Sequence, residues 1–217
     1  MQRKRVAILI SGRGSNMAAL ISAAADPAYP AEIALVVSNR PDAAGLARAK
    51  AAGIATRVVD HTTFGKDRAA FEQALDAELS SQRIDLVCLA GFMRLFTPWF
   101  VLRWQARLIN IHPALLPAFK GLDTHARALA AGVKLHGSSV HFVIPEMDSG
   151  PIIVQSAVPV RDDDTPETLG ARVLAAEHRI YPLALRWLAE GRLAVVDGRC
   201  KVAGASNHPD MLISPCD

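Results

Sequence analysis

The sequence predicts an α/β fold: a mostly parallel, doubly wound sheet with an antiparallel C-terminal portion. Three observations predict it. Short apolar runs alternate with amphipathic stretches through the first half, the rhythm of β-α-β units. Those runs lack strict alternation, as parallel strands covered on both faces do. Late in the chain two apolar runs flank a turn-rich loop, and a second pair of short runs flanks Asp197-Gly198, a hairpin signal.

Taken in order, Val6–Ile10 reads as a strand and Asn16–Ala25 as a helix, with Ser15 placed to cap it. Ile33–Ser38 reads as a strand, Ala43–Ala52 as a helix stopped by Gly53, and Thr56–Val59 as a short strand. Asp67–Ser81 follows as a helix, Leu86–Ala90 as a buried strand, Pro98–Trp104 as a short helix and Leu108–Ile111 as another strand. Ala126–Ala131 is helical. Gly137–Val143 and Ile152–Val158 form the antiparallel pair. Thr165–Glu190 is a long helix that Asp164 or Thr165 caps, Pro166 starts and Gly191 ends; Pro182 inside it predicts a kink. Ala194–Val196 and Cys200–Val202 make the hairpin. The architecture is Rossmann-like. Residues 1–203 read as one domain, and 204–217 as a polar, turn-rich tail.

With 217 residues and 51% hydrophobic content the chain can bury a sizeable core. A formal charge of +3 is too mild to suggest a nucleic-acid or membrane surface. No apolar stretch reaches the ~18 residues a membrane helix needs, and glycines interrupt the first apolar run too early for a signal-peptide core. Cys88, Cys200 and Cys216 are scattered in no metal spacing, and Cys88 reads as a buried small hydrophobe. A reducing cytoplasm is the expected compartment.

The stretch "SGRGSN" at 11–16 raises the question of which phosphate it meets. A dinucleotide fingerprint wants a third glycine where Met17 stands, and an acidic residue about 20 positions on; here the second strand runs into Ser38-Asn39-Arg40. Arg40 leaves an atypical NADP enzyme open. A P-loop is absent, since no Gly-Lys-Ser/Thr follows. What remains is a loop of backbone N–H groups and the Ser15 hydroxyl at a helix N-terminus, suited to one terminal phosphate; an ordinary strand-to-helix turn fits the same residues.

"RLINIHPALLPAFKG" at 107–121 is more specific. Asn110 and His112 are i and i+2 in a strand, so both side chains leave one face, and Pro113 ends the strand. An amide beside an imidazole suits acyl transfer, the amide holding an oxyanion and the imidazole moving a proton. No serine or cysteine sits in a nucleophile elbow, which favours direct attack by a substrate amine. Asp148, in a loop beside Gly150-Pro151, is placed to orient a histidine, or is a plain turn residue. His112, His125, His136 and His141 invite a metal reading, but no H-x-H or H-x-x-x-H pair occurs among them, and His136 and His141 fall on opposite faces of one strand. No catalytic metal is expected.

Together "ILISGRGSN", "LAGFMRLF", "NIHPALLPAFKG" and "HGSSVHFV…MDSGPII" resemble, in order, the glycinamide ribonucleotide transformylases. These are the phosphoribosylglycinamide formyltransferases of purine synthesis. The resemblance runs from about Val6 to Leu193. It implies the formyltransferase fold and transfer of a formyl group from 10-formyltetrahydrofolate, a co-substrate, to the amine of glycinamide ribonucleotide. It implies that Gly14, Ser15 and Asn16 hold the acceptor's 5-phosphate and Glu177 its ribose hydroxyls. Met93, Arg94, Leu95 and Phe96 would line the pteridine pocket, with Arg68 near the cofactor's outer part, Ile144, Pro145, Glu146, Met147 and Asp148 as a folate loop, and Asn110 touching the cofactor. Asn110, His112 and Asp148 would be the catalytic trio. Ala114 stands where the family often has serine, and Ser149 where it often has glycine; neither belongs to the trio.

Related formyltransferases act on methionyl-tRNA or on sugars, and a hydrolase cleaves formyltetrahydrofolate. The mild charge and the short segment after the hairpin speak against the tRNA enzyme, and the SGRGSN loop fits a small phosphorylated acceptor better. A phosphate-ligand sensor is the non-enzyme alternative; it needs no proton-transfer trio. The expected partners are small molecules, with no nucleic acid or membrane, and the chain itself is a monomer or homodimer.

Overall fold

The structure is a computed structural model that describes residues 2–205 and residue 214. Its elements run β1 (Lys4–Ile10), α1 (Ser15–Ala24), β2 (Ala31–Ser38), α2 (Ala44–Ala51), β3 (Thr56–Val58), α3 (Arg68–Ser81), β4 (Leu86–Leu89), α4 (Pro98–Arg103) and β5 (Leu108–His112). The second half holds α5 (Thr124–Ala130), β6 (Leu135–Phe142), β7 (Ile152–Pro159), α6 (Pro166–Ala189), β8 (Leu193–Val196) and β9 (Arg199–Val202). Seven strands form one sheet in the order β3-β2-β1-β4-β5-β6-β7, and β8-β9 pair separately. Strands β1 to β5 are parallel, while β6 and β7 join antiparallel. The expected sheet and its antiparallel end are therefore both present.

Strand parity assigns the two faces. Val6, Ile8 and Ile10 pack with α1, α2 and α6; Ala7 and Leu9 pack with α3 and α4. Both faces of β1 are thus covered, which is why its residues read as one apolar run. Each fully buried Leu or Ile is worth roughly 1.5–3 kcal/mol. In β5 the same parity sends Ile109 and Ile111 to the α6 side and leaves Asn110 and His112 on the other.

Helix α6 holds the first layer down. Thr165 and Thr168 form a reciprocal capping box with Pro166 at the first turn, so two of its free N–H donors are satisfied. Buried Tyr181 donates its hydroxyl toward the carbonyl oxygens of Leu89 (2.9 Å) and Ile109 (3.2 Å), pinning the helix across β4 and β5. Pro182 lies within the helix, and its own carbonyl accepts the Tyr29 hydroxyl at 2.6 Å.

Several expectations need correction. The cap of α1 is Gly14, in the left-handed region at φ 69°, and Ser15 is the first helical residue with no capping bond; glycine takes that conformation without steric cost. A short 3₁₀ turn over His61–Phe64 was missed. Its signal was Asp60, whose carboxylate accepts the Thr62 N–H and hydroxyl at 2.9 and 2.8 Å, an Asx turn. Helix α5 starts at Thr124 rather than Ala126. Most of the 204–217 tail, Cys216 included, lies outside the described residues.

Candidate active site

An open cleft of about 420 Å³ lies where the strand order reverses between β1 and β4, the place where open α/β sheets bind ligands. The glycine loop Gly12–Asn16 forms one wall. Asn39, Arg40 and His61 form a second, and Gly91, Met93 and Arg94 a third. The loop is held close to α2: the Gly45 N–H donates to the Gly12 carbonyl at 2.9 Å, and a Cβ on Gly45 would lie 3.0 Å from that oxygen and 2.6 Å from Ile10 Cδ1. Glycine at 45 permits this close approach, and the loop brings its backbone N–H groups to the start of α1, an arrangement suited to an anion.

Buried hydrogen bonds join the walls. Ser11 Oγ accepts the Met93 N–H at 2.8 Å and donates to Asn39 Oδ1 at 2.6 Å. The Asn39 carbonyl accepts the His61 N–H at 3.3 Å and His61 Nδ1 at 2.8 Å. Sequence reasoning assigned nothing to Ser11, Asn39 or His61. On the far side of the Met93 loop, buried Glu72 accepts the Thr97 N–H at 2.6 Å and also its hydroxyl.

Asn16 is turned inward. Its Nδ2 donates to Glu177 Oε2 at 2.7 Å, while its Oδ1 is buried without a partner. Burial pushes the Glu177 carboxyl above the ordinary range, and the Asn16 hydrogen bond opposes that shift. Two of the four predicted acceptor residues therefore meet, contributed by α1 and α6.

The predicted trio also converges. His112 Nδ1 lies 3.5 Å from Asp148 Oδ2, and its Nε2 donates to the Phe119 carbonyl at 3.0 Å. Asp148 sits in the left-handed region at φ 49°, and its Oδ2 accepts the Gly121 N–H at 2.9 Å. Lys120 donates to Ser149 Oγ at 2.6 Å, so the segment after β5 is tied to the segment after β6 at the carboxylate and at the residue that follows it. A fourth residue joins them. His141 is paired with Asn110 across β5 and β6, with Asn110 Nδ2 3.2 Å from its Nε2 and Asp148 Oδ1 3.8 Å away. His141 had been noticed only as a metal candidate; the antiparallel register that places it was not legible in the sequence.

The folate candidates are less concentrated. Met93 and Arg94 line the cleft, Leu95 is 58% exposed, and the Phe96 ring stacks between Phe92 and Phe100 at 5.3 and 4.3 Å. Pro145, Glu146 and Met147 are exposed, with Ile144 half-buried. Arg68 is the exposed first residue of α3 and does not line the cleft.

The family model described as formyl transferase matches residues 4–185. The chain belongs to the formyl transferase family. Relatives match along most of the chain. It is 50% identical over 190 residues to the trifunctional purine biosynthetic protein adenosine-3 of Bos taurus, covering 88% of this chain and 19% of that protein. The chain thus spans roughly a fifth of that relative's length. It is 46% identical to the phosphoribosylglycinamide formyltransferase of Escherichia coli (strain K12), covering 94% of this chain and 96% of that one. The solved glycinamide ribonucleotide transformylase 1 from Symbiobacterium toebii superposes with a TM-score of 0.89 at 46% identity, covering 92% and 94% of the two chains.

Two further histidines, His125 and His136, pack against each other. His125 and His136 meet edge to face at 5.4 Å, and burial pushes the His136 imidazole down to about 4, assisted by the charges of His125 and His112. Among the described residues, no group of three His, Cys, Asp or Glu side chains is arranged to hold a metal ion. Cys88 is fully buried, its thiol pushed up to about 12 by desolvation, so it packs as a small hydrophobe. No helix among the described residues is long and apolar enough to cross a membrane.

Proposed function

We propose that this chain transfers the formyl group of 10-formyltetrahydrofolate to the amine of glycinamide ribonucleotide, in purine synthesis. The observation that carries the reading is the convergence of Asn110, His112 and Asp148 on one side of β5, together with a glycine-loop cleft at the sheet's switch point. The relatives' names supply the acceptor and the group transferred; the folate donor is what the sequence resemblance implies. The cleft residues Gly14, Ser15 and Asn16 bind the acceptor phosphate, and Glu177, beside Asn16, takes the ribose hydroxyls. Met93, Arg94, Leu95, Phe96 and the 144–148 loop receive the folate, with Arg68 toward its outer end.

The acceptor amine attacks the formyl carbon and gives a tetrahedral intermediate bearing an oxyanion. Asn110 Nδ2–H donates to that oxygen. His112 supplies a second donor once its Nε2 exchanges the Phe119 carbonyl, 3.0 Å away, for the oxyanion; catalytic bonds of this kind commonly tighten only with substrate bound. Asp148 holds the imidazole from its Nδ1 side. The proton lost by the attacking nitrogen passes to the folate nitrogen through His112 or a water beside Asp148, and the C–N bond to the folate breaks. No covalent enzyme intermediate forms.

The test mixes protein, 10-formyltetrahydrofolate and glycinamide ribonucleotide and follows tetrahydrofolate. Release that requires the acceptor supports the reading. Release at the same rate without acceptor would make the protein a hydrolase, and release only with an amino-sugar nucleotide would reassign the acceptor. No release under any of these conditions would favour a sensor.

A further inference from the structure

His141 stands against Asn110 in a geometry that settles where its hydrogen lies. Its Nδ1 is 2.9 Å from the Phe142 carbonyl, and a carbonyl only accepts, so Nδ1 carries a hydrogen. Its Nε2 is 3.2 Å from the Asn110 amide. Two arrangements satisfy that contact. With neutral His141, Nε2 is a lone pair, and Asn110 must present its NH₂. With protonated His141, Nε2–H is a donor, and Asn110 must turn to present its oxygen. The two amide atoms trade places between these states.

The groups facing His141 favour the first arrangement. It is 2% exposed, and desolvation lowers the affinity of its ring for a proton, reinforced by the nearby His112. Asp148, 3.8 Å from Nε2, and the Phe142 carbonyl act in the opposite direction but are smaller influences. Asn110 and His112 face it from β5, Asp148 from the loop after β6, and the Phe142 carbonyl from its own strand.

We propose that neutral His141 is a positioning residue that orients the Asn110 amide with one N–H on Nε2 and the other free for the oxyanion. The inference rests on the reading above in which Asn110 donates to that oxyanion. Protonating His141 reverses the amide and turns its oxygen toward the developing negative charge, so formyl transfer falls with falling pH for a reason separate from His112. In chemical terms His141 keeps a single carboxamide in its one productive orientation out of two that are sterically equivalent.

The test compares four variants under saturating substrates: Asn110→Ala, His141→Ala, His141→Gln and the double Asn110→Ala/His141→Ala. Asn110→Ala should lower kcat by about 10²–10³-fold, the cost of one oxyanion donor. His141→Ala should lower kcat roughly 10-fold or more while KM for either substrate stays near wild type, because it leaves the donor present but unoriented. In the Asn110→Ala background the same change should alter kcat by less than about 2-fold, the limit expected when no coupling partner remains. His141→Gln offers Asn110 a carbonyl acceptor that does not titrate. It should recover most of the lost kcat and carry activity to lower pH than wild type, and it keeps the test decisive if His141→Ala fails to fold. Losses that multiply in the double variant, or a His141→Gln protein with a wild-type acid limb, would overturn the proposal alone. Asn110→Ala with wild-type kcat would overturn the oxyanion reading and the proposal together.

Discussion

Replacing Gly150 by alanine should separate the site's geometry from its chemistry. A Cβ at Gly150 would lie 1.8 Å from the Phe142 carbonyl oxygen, 2.9 Å from its carbon and 3.5 Å from His141 Nδ1. Real Cβ contacts essentially never fall under 3.0 Å, so the two backbones must part by at least about 1.2 Å. The Phe142 carbonyl is the group that holds His141, and Gly150 is two residues from Asp148. A displacement near 1 Å at such a site costs about 10²-fold in rate, and forced overpacking costs roughly 1–3 kcal/mol. For a chain of this size that lowers Tm by roughly 2–12 °C. The assay is tetrahydrofolate release per mole of folded protein, with the folded fraction taken from a denaturation curve at the assay temperature. Gly198→Ala is the control. Gly198 has φ 72° with open space around it, far along the β8–β9 turn, so alanine there should cost about 1–2 kcal/mol of left-handed strain and leave kcat alone. A Gly150→Ala enzyme with wild-type kcat and Tm would refute the claim that this close approach holds the site together.

Other outcomes follow from the same geometry. Ser15→Ala and Gly14→Val should raise the acceptor KM while folate binding stays nearly intact; a Cβ on Gly14 would meet Met17 Cε at 2.9 Å in a left-handed backbone, and a lost bond to a charged group is worth roughly 1.5–3 kcal/mol. Equal losses for both substrates, read from steady-state kinetics, would make the loop structural. Glu177→Gln should raise the acceptor KM yet stabilise the fold at neutral pH. Its carboxyl is raised in the folded state, so stability is full below the unfolded value and is lost as pH rises through the folded one; urea midpoints at pH 4.5 and pH 7.5 that move in parallel for the two proteins would contradict this. His136 has the opposite sign. Its folded value of about 4 lies below the ordinary one of 6.5, so stability is lost as pH falls across that window, by about 2–3 kcal/mol at most. A His136→Gln protein should lose less stability than wild type between pH 7 and pH 4.5, and an identical loss would show that His136 is protonated in the fold.

Most of the parallel half of the molecule was legible because β1, β2, β4 and β5 are largely buried on both faces and its helices on one, so hydrophobic pattern alone marks them. Asn110 and His112 were legible for a related reason, since i and i+2 on a strand share a face whatever the fold does. His141 was not. Its place depends on which residue of β5 it pairs with, and an antiparallel register between strands joined by a 22-residue connection (113–134) is set by tertiary packing. The Ser11–Asn39–His61 linkage was hidden in the same way, its members lying just after β1, on the turn after β2 and on the missed 3₁₀ turn. The capping of α1 by Gly14 was misread because Ser15 is a good cap by residue type, while the left-handed backbone that decides the matter leaves no mark in composition.

The reversal of strand direction at β6 divides the proposed site into two separately held parts. Residues proposed to meet the anion line the cleft from the segments after β1, β2, β3 and β4, all at the same end of parallel strands, and Glu177 reaches Asn16 from α6. Residues assigned to the chemistry belong to β5, β6 and the loop that follows, and they are braced by one another through Gly121, Lys120 and Ser149. Under the proposed function the first group can change while the second keeps its internal spacing, so libraries that seek altered acceptors belong at Gly12, Arg13, Ser15, Arg40 and His61, and should spare every residue from Asn110 to Gly121.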